Sequence, residues 1–415
     1  MAKIGSPPSS FGWFDSDDFF KTGGGRCRVP VRQDRKVDLG FLVDQINEKS
    51  GARAPMKIAQ GLALLGEKIT IYAYPEAKDT EVEDKLKELK VEIVYVQNPK
   101  TRLGKFLTAS NLLKPLREHN HDLISCHSSY PLFFAAARSG KPIIYTYYGT
   151  QLTAFDRHME KETGLRNSWV KQQKLKLADQ IILRLEKLRI HKAVRVLGIS
   201  KSTVLEAARM YQRKIDYIYL GADLDDKAKL NRSEKKTLLL LSVSRLTPYK
   251  GFHRVLAAYK NIKRSFPELK LALVGTSQDT AYLNYLKSKA DRDVEIILSP
   301  SDQVLINYYQ KCSLYVSGTT WEGFGLPFLE AALLGKPVIG FRNTSLPEVV
   351  EDGKTGFLAS SQEEFEEKIK LLCQDLSLRI KMGKEGVKFA QGFSWAKTSL
   401  EYQSYFSKFL ERGSK

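Results

Sequence analysis

From Lys36 onward, short apolar runs alternate with longer stretches of helical spacing. Val37 to Val43, Ile69 to Tyr74, Val91 to Val96, Asp122 to Ser125 and Pro142 to Tyr147 read as strands bounded by polar or glycine-bearing turns. Between them, Pro55 to Leu65 carries Met56, Ala59, Leu62 and Ala63 on one helical face and stops at Gly66. Glu81 to Leu89 and Phe133 to Arg138 fill two more helical slots. Arg166 to Ile190 predicts one long helix, with Leu177, Ala178, Ile181, Leu185 and Leu188 on a shared apolar stripe and Lys176 and Lys187 opposite it. A strand at Val194 to Ile199, a helix ending at Tyr211 and a strand at Ile215 to Leu220 close this first series. Strands alternating with helices at such spacing predict an α/β fold with a parallel sheet covered on both faces.

A polar linker at 225–236 separates a second series. Its strands are Leu238 to Val243, Leu271 to Val274, Val294 to Leu298, Cys312 to Val316 and Val338 to Phe341. Helices follow at Gln362 to Leu372, around Leu378 to Ala390, and at Ala396 to Leu410. The organisation predicted is an extension (1–36), a first domain (37–224), the linker, a second domain (237–395) and a last helix (396–415). The extension mixes Phe11, Trp13, Phe14, Phe19 and Phe20 with aspartates before Gly23-Gly24-Gly25. With neither strand before nor helix after, those glycines fail as a phosphate loop, and a flexible segment is expected.

Ligands of parallel sheets bind beyond the carboxyl ends of the strands. Gly51, His127, Tyr148 and Gly275 fall at such ends, as do Arg245 and Lys250, two cations spaced to neutralise a diphosphate. The richest stretch is Thr319 to Gly335, TTWEGFGLPFLEAALLG. Gly323 and Gly325 open a loop around Phe324 and Leu326, and Pro327 suits the first turn of the helix that follows. A helix start after such a loop favours a phosphate. Glu322 precedes this helix and Glu330 lies within it, so the two reach different parts of one ligand lying across the helix start. The plainer alternative is a surface turn and an amphipathic helix with solvated carboxylates.

The string E-G-F-G-L-P-F-L-E-A, followed by G-K-P-V-I, resembles the glutamate-x7-glutamate signature of retaining GT-B glycosyltransferases, most closely glycosyltransferase family 4. The resemblance runs over 37–412 and implies two Rossmann-like domains facing across a cleft, with the last helix returning to the first. It implies that Glu322 meets the transferred sugar and Glu330 the ribose, while the amides of Gly323 to Leu326 face the sugar and diphosphate. Arg245 and Lys250 match an R-x4-K element that holds the donor's diphosphate. His127 matches a cleft-lining histidine, and Gly51 and Gly275 fall where backbone approaches the donor. Tyr148 departs from the pattern: the family commonly has His-Gly there, which leaves donor identity open. Glu348, in a segment the family repeats, is read as structural. The reaction implied moves a hexose from a nucleotide diphosphate sugar to a hydroxyl with retention. It proceeds by same-face attack with the donor phosphate taking the proton, and needs neither cofactor nor metal. The one Asp-x-Asp, at Asp15 to Asp17, is read as coincidence.

Composition narrows the partners. With 415 residues, 42% hydrophobic and 27% charged, the chain reads as an ordinary globular protein with apolar runs too short to span a bilayer. No signal-peptide layout is present, and Cys27, Cys126, Cys312 and Cys373 lie far apart without metal-ligand spacing, which predicts a reducing cytoplasm. A net charge of +19 calls for anionic partners. The helix from Arg166 contributes Lys171, Lys174, Lys176, Arg184, Lys187 and Arg189 against Asp179 and Glu186. Alone, such a helix is expected to pack its stripe on the first sheet. The charge of the whole chain favours peripheral attachment to the inner face of the cell membrane and a lipid-linked or phosphorylated acceptor. Competing readings are a GT-B nucleotide-sugar epimerase, a nucleotide-binding scaffold without transferase activity, and a nucleic-acid binder. No RNA-binding motif or basic–aromatic repeat supports the last.

Overall fold

In the computed structural model, the residues described are 36–48, 52–75, 79–96, 109–128, 130–150, 162–165, 169–222, 238–277 and 279–413. The extension up to residue 35, the linker and Gly51 lie outside them. The predicted apolar runs, joined by a strand at Gly356–Ala359 that the pattern had not marked, pair as two wholly parallel sheets. The first takes the order β3-β2-β1-β4-β5-β6-β7, from β1 (Asp38–Leu42), β2 (Lys68–Ala73), β3 (Glu92–Tyr95), β4 (Leu123–Cys126), β5 (Ile143–Tyr147), β6 (Arg195–Gly198) and β7 (Asp216–Tyr217). The second takes the order β10-β9-β8-β11-β12-β13, from β8 (Leu239–Val243), β9 (Lys270–Gly275), β10 (Val294–Leu298), β11 (Leu314–Val316), β12 (Val338–Phe341) and β13 (Gly356–Ala359). Central strands buried on both faces read as unbroken apolar runs, which is why the sequence announced them. In each sheet the order reverses beside its first strand, between β1 and β4 and between β8 and β11. A ligand crevice opens at such a point.

Residues 36–415 form one unit, and the apolar core explains why. A single cluster runs from Leu39, Phe41 and Met56 beside the first sheet to Phe324, Phe328 and Val338 beside the second. The last helix, Trp395–Gly413, crosses back to the first sheet. Its Tyr402 bonds the Thr146 hydroxyl at 3.0 Å, and Gln403 donates to Glu67 at 2.6 Å. Its Ser399 packs so tightly on the helix Arg53–Leu64 that a Cβ at Gly61 would lie 2.0 Å from the hydroxyl.

Three expectations change. Only Asp216–Tyr217 of the predicted Ile215 to Leu220 strand pairs, at the sheet edge. Helices Phe252–Lys263, Thr280–Lys289 and Asp302–Lys311 fill crossovers that the apolar pattern had not marked. The third change concerns the long helix, Trp169–Lys192, which is turned over relative to the expectation. Leu177, Ile181 and Leu188 are 58%, 49% and 49% exposed, whereas Asp179, Glu186 and Arg189 are buried. Arg189 donates to Glu186 at 2.6 Å and to the Ser128 carbonyl at 2.8 Å, its guanidinium between the rings of Tyr130 and Tyr145. Tyr130 and Tyr145 donate to the same Glu186 carboxylate, at 3.0 and 2.9 Å. This satisfied polar network anchors the helix, so the apolar stripe is left outside. At 100° per residue, Lys174 and Arg184 border the exposed Leu177, Ile181 and Leu188, while Lys176 and Lys187 lie roughly a third of a turn away.

Candidate active site

The switch point of the second sheet is built from two loops stitched together. After β8, Arg245 leads into a turn at Pro248–Lys250 that ends in Gly251. After β11, Thr320 donates through both its amide and its hydroxyl to the Tyr249 carbonyl, at 2.9 and 3.1 Å. A third loop holds the second from behind. Asn343 donates to the Thr319 carbonyl at 2.7 Å, Ser345 to the Glu322 carbonyl at 2.9 Å, and the Glu322 amide to Thr344 at 2.9 Å. With its backbone fixed at both ends, Glu322 sets its carboxylate 2.7 Å from the Lys250 ammonium, both side chains largely buried. Arg245 donates to the Tyr249 hydroxyl at 2.8 Å, so it stands on the same turn.

The helix Leu326–Leu333 starts from Gly325, whose φ of +103° disfavours any residue with a Cβ. Glu330 lies on its buried side. Tyr309 donates to Oε2 of Glu330 at 2.8 Å, and Arg53, from the first half of the chain, reaches Oε1 at 2.5 Å. Phe324 turns its ring towards Tyr219 and Phe393. Gly275 is explained by the chain itself: a Cβ there would lie 1.7 Å from the Ser244 carbonyl oxygen. Its neighbour is therefore backbone at the end of β8.

The first half closes over this loop. Gly323 lies against the Tyr148 carbonyl and accepts a 2.8 Å hydrogen bond from Ser200. Trp321 packs on Gly149 and donates to Glu206 at 3.0 Å. Glu348 accepts from the amides of Lys201 and Ser202, each at 2.8 Å, at the start of the helix Lys201–Tyr211. A carboxylate at a helix N-terminus is a structural cap, which agrees with the reading of Glu348 as structural.

His127 and Tyr148 form a pair. Tyr148 lies 2.8 Å from Nδ1 of His127, and Nε2 lies 3.0 Å from the Ser125 hydroxyl, with the ring stacked on Phe41. Burial pushes the Tyr148 phenol well up, so it keeps its proton and donates to Nδ1, which leaves Nε2–H to donate to Ser125. Burial pushes the His127 pKa down to about 3. Between about 6.5 and 3 the unfolded state therefore binds the extra proton, and stability rises with pH through that window. His127 should contribute a loss of at most about 1.4 kcal/mol per pH unit as pH falls below about 6.5. Denaturant titrations between pH 4 and 7 test this. The slope of stability against pH should be shallower in His127→Gln than in the native protein, and equal slopes would show that His127 is not held neutral.

The sequence thus picked out Glu322, Glu330, Arg245 and Lys250; the structure pairs Glu322 with Lys250, sets Arg245 on the same turn, and gives Glu330 to Arg53 and Tyr309 instead. It missed Arg53, Tyr309, Trp321, Glu206 and Ser200, none of which carries a local signal. Arg53 and Glu330, for example, stand 277 positions apart.

Comparison with known proteins places this geometry. A model of Glycosyltransferase Family 4 matches residues 52–226, and one of Glycosyl transferases group 1 matches 223–389. An uncharacterized glycosyltransferase of Haemophilus influenzae is 30% identical over 38% of this chain and 44% of its own length. The D-inositol 3-phosphate glycosyltransferase of Corynebacterium efficiens is 27% identical over 40% of the chain and 42% of its own length. The alpha-monoglucosyldiacylglycerol synthase of Streptococcus pneumoniae is 28% identical over 60% and 58%. The chain therefore spans about half the length of these curated relatives. In fold it is similar to Anabaena HepE, solved with UDP and glucose, at a TM-score of 0.69 and 18% identity, over 90% of this chain and all of that one. With one family model on each parallel sheet, and the fold shared along nearly its whole length, the chain belongs to the group 1, family 4-like GT-B glycosyltransferases.

Proposed function

We propose that the protein is a retaining hexosyltransferase whose donor is a UDP- or GDP-linked sugar and whose acceptor is a hydroxyl group. The observation that carries this is the convergence of Lys250, Glu322 and Arg245 at the switch point of the second sheet, with Glu330 on the adjoining helix. Arg245 and Lys250 neutralise the diphosphate, Glu322 meets the sugar and Glu330 takes the ribose hydroxyls. The bond from the anomeric carbon to the phosphate oxygen breaks while the acceptor oxygen bonds to the same face. The acceptor's proton passes to the departing phosphate oxygen. Two fixed cations stabilise the leaving diphosphate without a metal. A panel of nucleotide sugars tests the reading. Transfer or hydrolysis of one of them is expected, whereas an epimerised nucleotide sugar would favour the epimerase and binding alone the scaffold.

The two glutamates separate by assay. Glu330→Gln should weaken binding of the free nucleoside diphosphate by about tenfold, the worth of one charged hydrogen bond. Glu322→Gln should leave that affinity near normal and depress transfer. Calorimetry that returns the reverse order would exchange their roles.

A lipid-linked or phosphorylated acceptor fits the names of two relatives, a glucosyldiacylglycerol synthase and an inositol phosphate glycosyltransferase. It also fits the exposed stripe of Leu177, Ile181 and Leu188 beside exposed Lys174, Lys176, Arg184 and Lys187. The protein would then work in glycan or envelope polysaccharide synthesis, attached peripherally to an anionic membrane surface. Among the described residues no helix is long and apolar enough to cross a membrane.

A further inference from the structure

Arg53 opens the helix that follows β1, in the half of the chain opposite Glu330. Its Nε donates to the Glu48 carbonyl at 3.2 Å, which steadies the guanidinium from behind, and Nη1 reaches Oε1 of Glu330 at 2.5 Å. On the far side, Tyr309 donates to Oε2 at 2.8 Å. Burial holds the Tyr309 phenol well above its ordinary pKa, so it remains a donor.

A carboxylate offers about four lone-pair positions, two on each oxygen. Arg53 takes one on Oε1 and Tyr309 one on Oε2, so each oxygen keeps one acceptor position. Two acceptors side by side suit two vicinal hydroxyls, the recognition unit of a ribose. The charge matters as much as the geometry. The Glu330 side chain is 9% exposed, and among the described residues Arg53 is the cation paired with it. Removing one partner of such a pair leaves the other charge buried and no longer held in place.

We propose that Arg53 is a positioning residue for nucleotide binding. It reaches over from the first half to fix the Glu330 carboxylate in place and to orient its two remaining lone pairs towards the ribose diol. Nucleotide affinity then depends on both halves, although the ribose touches only Glu330. This rests on the reading of Glu330 as the ribose ligand, and the test keeps the two apart.

UDP, GDP and their 2′,3′-dideoxy counterparts are titrated by calorimetry into the native protein, Arg53→Lys, Arg53→Met and Arg53→Gln. In the native protein, loss of the ribose hydroxyls should weaken binding at least tenfold. Arg53→Met and Arg53→Gln should bind the full nucleotide about tenfold more weakly. Both should discriminate little against the dideoxy form, and Arg53→Lys should recover most of the loss. Should one neutral variant fail to fold, the other carries the same comparison. Native protein that discriminates while both neutral variants discriminate equally would overturn the role of Arg53 and leave the ribose reading standing. Native protein that binds neither full nucleotide, or ignores the hydroxyls, would overturn the ribose reading and this proposal with it.

Discussion

Lys250→Ala is expected to slow sugar transfer by about a hundredfold or more, and Arg245→Ala by somewhat less. A fixed cation facing a charge that grows in the transition state is typically worth about 3 kcal/mol. Lys250 should exceed Arg245 because its ammonium is buried and also holds Glu322 at 2.7 Å, so its loss disturbs both the diphosphate and the sugar side. Arg245 is braced by the Tyr249 hydroxyl, and its proposed role is confined to the diphosphate. Stability and catalysis can be separated. Lys250→Ala leaves the largely buried carboxylate of Glu322 without its ammonium, a loss of about 3 kcal/mol for a buried pair. Adding Glu322→Gln should restore the melting temperature without restoring transfer. Initial rates with the accepted nucleotide sugar, alongside thermal melts, check both statements. Near-normal transfer in Lys250→Ala and Arg245→Ala would remove these residues from the reaction.

What the sequence disclosed was local. Parallel strands buried on both faces must be apolar throughout, so β1, β4, β5, β8 and β12 stand out as runs. The loop and helix around Glu322 and Glu330 were legible because Gly325 and Pro327 each have a backbone reason to be where they are. The partners of these glutamates were not legible. Arg53 meets Glu330, Trp321 meets Glu206 and Ser200 meets Gly323 only after two sheets have formed and closed on each other. Periodicity also misled where a helix rests on polar groups. The inward face of Trp169–Lys192 carries Asp179, Glu186 and Arg189, and a rule that turns the apolar face inward inverts such a helix.

That inversion makes the membrane reading sharper than charge alone could. The two acidic residues of the helix, Asp179 and Glu186, are buried, so what it presents outward beside Leu177, Ile181 and Leu188 is cationic: Lys174, Lys176, Arg184, Lys187 and Lys192. An apolar stripe bordered by lysine and arginine is the pattern of a helix lying in the plane of a membrane interface. Seating three large aliphatic side chains that are already half covered gains about 1 kcal/mol each, and each cation near an anionic surface adds about 1 kcal/mol. The triple variant Leu177→Gln, Ile181→Gln, Leu188→Gln should therefore lose about a hundredfold in affinity for phosphatidylglycerol vesicles. Raising the salt should release the native protein, and phosphatidylcholine vesicles should bind it weakly. Transfer to a soluble acceptor should be unchanged in the triple variant, because the stripe is remote in sequence from Glu322 and Lys250 and makes no contact with them among the described residues. Equal flotation of native and triple-variant protein, or equal binding to neutral and anionic vesicles, would reject the membrane surface. A native dimer that the triple variant abolishes would assign the stripe to a second copy of the chain.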